Sequence, residues 1–196
     1  MPQPISEVPR ASPQMIVTVL LSGGIDSAAC AAFYQGLGHK VSALHVDYGQ
    51  AARRNERKAA IAIAEHFQIP LQIVAVHGVQ EKPDGEIIGR NAFLIALALQ
   101  ESGFSSQLIA MGVHAGTHYC DCSPKFVDLM NALLSFQSDG RVQVGAPFVS
   151  WMKRQIWDFS IKNRVPTSLT YSCERGGDEP CGECLSCRDV RRLYAC

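Results

Sequence analysis

Three stretches of this chain carry residue types whose spacing can do chemistry. The first is Ser22-Gly23-Gly24-Ile25-Asp26-Ser27, entered from the apolar run at 15–21 and left through small residues at 28–35. A strand that turns through two glycines into a helix is suited to holding phosphate. Glycine takes positive φ and leaves room for a close ligand. The first N–H groups of the helix are unsatisfied, and its dipole favours an anion. Ser22 and Ser27 add hydroxyl donors. No Lys-Ser or Lys-Thr follows the glycines, so this is not a Walker A loop. The plainer alternative is a strand-to-helix turn capped by Asp26 or Ser27.

The second stretch is Cys181-Gly182-Glu183-Cys184-Leu185-Ser186-Cys187, with Cys173 eight residues upstream. Two-residue spacers let thiolates converge on one ion, and four thiolates without an open position describe a structural zinc site. A four-iron cluster takes the same ligands, and free or disulfide-paired thiols are the third option. The third stretch is the loop 114–123, with His114, His118, Tyr119, Cys120, Asp121 and Cys122. His118, Cys120 and Cys122 could make a second metal site. Cysteines separated by one residue point to opposite sides of an extended strand, however, which favours a pocket wall.

The elements that must position these residues alternate. Strands are expected at 15–21, 40–46, 71–76, 108–112 and 142–146, and helices at 26–36, 51–67, 90–100, 124–134 and 151–163. Pro124 suits a first helical turn, and Trp151 and Trp157 are spaced to share one side of the last helix. This alternation predicts an α/β fold, a doubly wound parallel five-stranded sheet, followed by a four-Cys zinc-binding tail. The expected division is a flexible tail at 1–14, an α/β domain at 15–168 and a metal-binding segment at 169–196 packed on it. Ligands of such sheets bind at the carboxyl ends of the strands, and every chemistry-bearing stretch but the tail follows a strand.

Composition narrows the partners. The chain has 196 residues, 47% of them apolar, and Lys plus Arg balance Asp plus Glu at 18 each. A neutral chain lacks the basic footprint of a nucleic-acid binder. No apolar run is long enough to span a bilayer, and residues 1–14 hold no hydrophobic signal region, so a cytoplasmic setting is expected. Clustered cysteines in such a setting point to metal rather than disulfides.

The first stretch resembles the pyrophosphate loop of the ATP pyrophosphatase superfamily, whose sheet is of the adenine nucleotide α-hydrolase type. With the cysteine tail the resemblance narrows, over residues 15 to about 192, to the 7-cyano-7-deazaguanine synthases of queuosine biosynthesis. The matching pieces are Leu21–Ser27, Asp47-Tyr48-Gly49-Gln50, Gly89-Arg90-Asn91, Gly112-Val113, Asp121-Cys122 with Phe126, Lys153, and Thr170–Cys173 through Cys187-Arg188. The resemblance implies ATP at Leu20, Leu21, Ser22, Gly23, Gly24, Ile25, Asp26, Ser27, Ala28, Ala29 and Cys30, with Asp47, Tyr48 and Gln50 beside it. It implies Mg2+ near Asp26, a structural Zn2+ on Cys173, Cys181, Cys184 and Cys187, and chemistry carried by Asp26, Ser27, Arg90 and Lys153. Arg90, Asn91, His114, Tyr119, Asp121 and Cys122 would face the substrate.

The implied reaction joins 7-carboxy-7-deazaguanine and ammonia through an acyl adenylate and an amide to the nitrile, releasing AMP and pyrophosphate. A homodimer is implied as well. The chain departs from the family pattern in three places: the loop before Gly89-Arg90-Asn91 is trimmed, the segment 116–122 is shorter and lacks the leading acidic residue, and the charged helix start after Gln50 is spaced differently. The altered 114–122 loop keeps open a paralogue that stops at the amide or passes the acyl group to another amine, including one on a protein.

Overall fold

The computed structural model describes residues 13–79, 87–103, 105–117 and 119–194. The expected tail as far as residue 12, His118, Cys196 and most of the loop before Gly89 lie outside them. Five parallel strands form one sheet in the order β3-β2-β1-β4-β5, with β1 Ile16–Leu20, β2 Lys40–Asp47, β3 Leu71–Ala75, β4 Leu108–Ala110 and β5 Gln143–Gly145. Helices α1 Ile25–Gly36, α2 Arg53–Phe67, α3 Arg90–Ser102, α4 Pro124–Ser138 and α5 Lys153–Lys162 pack on it, and α6 Leu185–Tyr194 closes the chain. The strand order reverses between β1 and β4. A crevice therefore opens above their carboxyl ends, the usual ligand position in such sheets.

Alternation along the strands explains the layering. Val17 and Val19 of β1, Val41 and Ala43 of β2, and Leu108 and Ala110 of β4 face α1, α2 and α5. Leu20, Leu44, Val46 and Ile109 face α3 and α4. Both faces are covered, so the strands read as nearly continuous apolar runs. Helix α1 packs between the sheet and α5, and its consecutive small residues Ala28, Ala29, Cys30 and Ala31 are all buried. Short side chains let the helix axis lie close to the sheet, which fixes where the first turn of α1 ends up.

The sheet, its direction and its five main helices match the sequence expectation, with differences at the ends. Helix α4 runs a turn further than expected, to Ser138, whose hydroxyl bonds to the Leu134 carbonyl at 2.7 Å. Its start is as expected: Pro124 opens it, and Ser123 caps it by accepting from the Phe126 amide at 3.2 Å. Helix α5 begins at Lys153, so Trp151 precedes it. The two tryptophans do not share a helix side. Trp151 packs on Phe148 and Phe159, while Trp157 packs with Ile25, Leu193 and Tyr194. Helix α6 was not anticipated. Its register of Cys187, Val190 and Leu193 is legible in the sequence, but three of its ten positions hold arginines beside the metal spacing that dominates the stretch.

Candidate functional site

The loop after β1 is built as a cradle. Gly23 has φ 93°, and a Cβ there would lie 2.5 Å from the Glu56 carbonyl oxygen and 3.0 Å from the Ala59 Cβ. Only glycine lets the loop rest on the first turns of α2 in this conformation. Gly24 takes the N-cap position of α1 without a side-chain cap, which corrects the alternative of capping by Asp26 or Ser27. Instead the Ser27 hydroxyl donates back to the Gly24 carbonyl at 2.9 Å, and the Ser22 and Ser27 hydroxyls stand 3.2 Å apart. The opening amides of α1 are left facing the crevice, where they and the two hydroxyls can take a polyanion.

Three ionisable side chains from three elements meet at the edge of this cradle: Asp26, Lys153 and His114. Lys153, the first residue of α5, pairs with Asp26 Oδ2. His114, on the loop after β4, places Nε2 3.9 Å from the same oxygen. Its Nδ1 accepts from the Gly116 amide at 3.0 Å, which leaves Nε2 as the protonated nitrogen of the neutral ring. Burial holds the His114 imidazole below its usual range. Asp26 opposes the shift and Lys153 adds to it. The approach of the β4 loop to α1 depends on Gly112, where a Cβ would lie 2.5 Å from the Asp26 carbonyl oxygen and 3.0 Å from the Ser27 nitrogen. Among the described residues Asp26 Oδ1 is buried without a hydrogen-bond partner. An open carboxylate oxygen at a phosphate cradle fits a divalent cation.

A second group forms between α3 and the loop before α4. The Asn91 amide donates to Asp121 Oδ2 at 3.3 Å, and Asn91 Nδ2 donates to the Asp121 carbonyl at 3.0 Å. Asn91 Nδ2 also lies 3.8 Å from the Cys122 sulfur. Cys120 through Cys122 make a single 3-10 turn rather than the extended segment the sequence suggested. Cys120 is exposed and Cys122 is buried, and burial pushes the Cys122 thiol up. Tyr119 stands exposed at the rim. The six residues expected to face a substrate therefore divide. His114 joins Asp26 and Lys153, whereas Asn91, Asp121 and Cys122 hold one another. His118 of the second metal option lies outside the described residues, among which the one His/Cys/Asp/Glu group able to hold an ion is that of the tail.

At the end of β2 the expected segment folds into a tight turn. Asp47 Oδ1 accepts from the Gly49 amide at 3.0 Å, and Gln50 Oε1 accepts from the Tyr48 amide at 2.9 Å. Gln50 Nε2 reaches Glu56 Oε2 at 2.8 Å. Glu56 escaped the sequence reading, although an acid in the first turn of a helix after Asp47–Gln50 is a visible signal. Burial pushes its carboxyl up, against the Gln50 hydrogen bond. His45 was expected to be packed rather than catalytic, and its ring is buried. Nδ1 donates to the Leu21 carbonyl at 2.9 Å, bracing the strand end that leads into the cradle. Cys30 is fully buried in α1, as a core residue should be.

The four tail sulfurs of Cys173, Cys181, Cys184 and Cys187 lie within 4.8 Å of one another. Tetrahedral thiolates at roughly 2.3 Å from one zinc stand about 3.8 Å apart, so the set fits a single ion. A four-iron cluster binds each thiolate at a different corner and spreads them further. The amides of Cys181, Cys184 and Cys187 each point at the sulfur of the preceding cysteine of the set at 3.4 Å, as donors do toward thiolates.

The family described as queuosine biosynthesis protein QueC matches residues 16–195. Among curated relatives, a protein named 7-cyano-7-deazaguanine synthase from Synechococcus sp. (strain CC9902) is 38% identical over 205 residues, covering 89% of this chain and 90% of that one. A namesake from Prochlorococcus marinus (strain NATL2A) is 30% identical, covering 86% and 88%. Among solved structures, NMN synthetase from Francisella tularensis superposes with a TM-score of 0.56 at 16% identity, covering 87% of this chain and 71% of that one. A predicted subunit of tRNA methyltransferase from Methanocaldococcus jannaschii gives 0.56 at 16%, covering 75% and 74%.

Proposed function

This chain belongs to the family of the queuosine biosynthesis protein QueC, and we propose that it converts 7-carboxy-7-deazaguanine and ammonia to 7-cyano-7-deazaguanine with ATP. The observation that carries this reading is the cradle of Ser22–Ser27 at the β1–β4 crevice, with Lys153 of α5 drawn onto Asp26. The loop amides and hydroxyls would hold the phosphates, with the end of β1, the first turns of α1 and the Asp47–Gln50 turn around the nucleotide. Asp26 would hold the Mg2+ that accompanies them, which screens charge on the phosphate oxygens when bound. Lys153 stands where it can turn from Asp26 to the α phosphate as charge develops there.

The chain supplies positioning and charge rather than a nucleophile. The substrate carboxylate attacks the α phosphorus, and the bond to the bridging oxygen breaks. Pyrophosphate stays on the α1 amides, and an acyl adenylate forms. Ammonia displaces AMP to give the amide. A second adenylation on the amide oxygen, followed by loss of AMP and protons, leaves the nitrile. His114, held neutral, would contact substrate from the α1 side with an N–H to donate. Arg90 and Tyr119 would contact it from the rim, with Asn91, Asp121 and Cys122 shaping the wall. Cys173, Cys181, Cys184 and Cys187 would hold a structural Zn2+. A reduced cytoplasmic setting suits those thiolates, and among the described residues no helix is long and apolar enough to cross a membrane.

A homodimer would pair through α4. Its outer face carries Leu129, Leu133 and Phe136, with Phe136 86% exposed. Antiparallel pairing of two α4 copies about Ala132 would bring Lys125 of each toward Asp139 of the other, one charge opposite its complement. The functional test is incubation with 7-carboxy-7-deazaguanine, ammonium and Mg-ATP, with mass spectrometry of the products. Nitrile with AMP and pyrophosphate is expected. AMP with amide or a conjugate would refute the nitrile step and favour the paralogue.

A further inference from the structure

The four-Cys lobe touches the nucleotide cradle through a closed circuit of contacts. On one side the Tyr171 amide donates to the Gly23 carbonyl at 2.9 Å, two residues before the ligand Cys173. The Tyr171 hydroxyl then donates to the Gly177 carbonyl at 2.8 Å, inside the loop that separates Cys173 from Cys181. That loop returns to α2. Asn55 Nδ2 donates to the Gly177 carbonyl at 2.8 Å and lies 3.4 Å from the Gly176 carbonyl. Gly176, at φ 69°, sits so close that a Cβ would fall 2.0 Å from the Ala51 carbonyl oxygen. The next residue on α2 is Glu56, whose carbonyl oxygen presses on Gly23 from the other side. The cradle glycine is thus held between the metal lobe and the helix that the lobe itself grips.

We infer that the four-Cys metal sets the conformation of the nucleotide loop, and that Tyr171 and Asn55 are positioning residues for ATP. The inference rests on the nucleotide reading of Ser22–Ser27. The physical argument is one of order. With the ion bound, residues 173–187 form one rigid loop, and the Tyr171 amide stays on the Gly23 carbonyl. Without it, four thiols repack, the 174–180 segment gains freedom, and that carbonyl loses a donor. The loop amides then no longer face the crevice in one arrangement. Coupling between two sites is reciprocal, so the metal must bind tighter when the nucleotide is bound, by the factor with which the nucleotide binds tighter when the metal is bound.

The experiment uses the full-length metal-loaded protein and α,β-methylene-ATP, which cannot be cleaved between the α and β phosphates. Metal release to a chromogenic chelator is followed with and without saturating analogue, so no folded metal-free protein is needed. Cobalt substitution adds the thiolate-to-metal charge-transfer band as a direct view of the ligands. The analogue is expected to slow metal release roughly tenfold, a typical coupling factor. Asn55→Ala and Tyr171→Phe should load metal with an unchanged cobalt spectrum and bind the analogue more weakly, Asn55→Ala losing most of that protection and Tyr171→Phe, which keeps the backbone amide on Gly23, losing part of it. Tight analogue binding with an unchanged release rate overturns the coupling alone. Full protection in both variants overturns the assigned route. No analogue binding to the loaded protein overturns the nucleotide reading, and the coupling with it.

Discussion

Gly112→Ala adds one methyl group where the loop after β4 crosses the first turn of α1. The new Cβ would stand 2.5 Å from the Asp26 carbonyl oxygen, where ordinary contact begins at 3.4 Å, so the segments must part by about 0.9 Å. Both contacting groups are backbone, and no side-chain rotation relieves the clash. Overpacking of this kind costs about 1–3 kcal/mol. For a chain of this size that is roughly 2–4 °C in Tm per kcal/mol. The larger effect falls on catalysis, because Asp26 and Ser27 move with the turn, while Lys153 and His114 are held from other elements. A misplacement near 1 Å can cost on the order of 100-fold in rate. Pyrophosphate release at saturating ATP, with Tm measured in parallel, is the assay. Gly36→Ala is the control, since a Cβ there meets nothing within 4 Å and the last turn of α1 tolerates alanine. If Gly112→Ala keeps its rate within about threefold while Gly36→Ala behaves as expected, the close approach at Gly112 does not fix the catalytic geometry.

Asp26→Asn keeps the shape but leaves Lys153 without its carboxylate and weakens the hold on Mg2+. Pyrophosphate release should fall roughly 100- to 1,000-fold with little change in Tm, and a Mg2+ titration should show a raised half-saturation point. Glu56→Gln probes the buried carboxyl beneath the cradle. The folded-state pKa is raised, so the folded protein holds the proton more tightly than the unfolded chain does. That preference favours folding at pH values below the unfolded value near 4.3 and is lost as pH rises through the folded value. The variant should therefore gain Tm over the parent toward neutral pH, with the gap closing in acid, and equal gaps at all pH values would contradict the burial argument. Phe136→Glu places a charge in the outer face of α4 and, if the proposed α4 pairing forms the dimer, should leave a monomer in sedimentation where the parent sediments as a dimer, with the circular dichroism spectrum retained.

Most of the fold was legible because its signals are local. Apolar runs of strand length, spaced by helical patterns, leave few topologies, and the carboxyl ends of the strands then collect the loops. The cradle was legible for the same reason: Ser22–Ser27 carries its chemistry within six residues. What escaped depends on contacts between distant parts of the chain. Nothing near Asn55 announces that its amide grips a loop more than a hundred residues away. Tyr171 reads as part of a family signature, yet its work at Gly23 is done by a backbone amide that any residue except proline supplies. Trp151 and Trp157 show the reverse failure, since a helix boundary displaced by two residues sends their rings into different clusters.

The division of the expected substrate residues bears most on what the enzyme selects. Asn91 and Asp121 each use a side-chain group on the other's backbone, so these two bonds fix the wall. On the proposed reading, selection then falls to the His114 N–H, the exposed Tyr119 and Arg90 at the first turn of α3. On this reading, a change of acceptor would leave the proposed adenylation intact. The groups proposed to hold ATP lie on β1, α1, α5 and the turn after β2, and His114, braced by the Gly116 amide, reaches Asp26 from the loop after β4. On this geometry His114→Ala should reduce amide and nitrile formation more than ATP–pyrophosphate exchange. Equal losses in both would place His114 with the ATP machinery and return substrate selection to the Asn91–Asp121 wall.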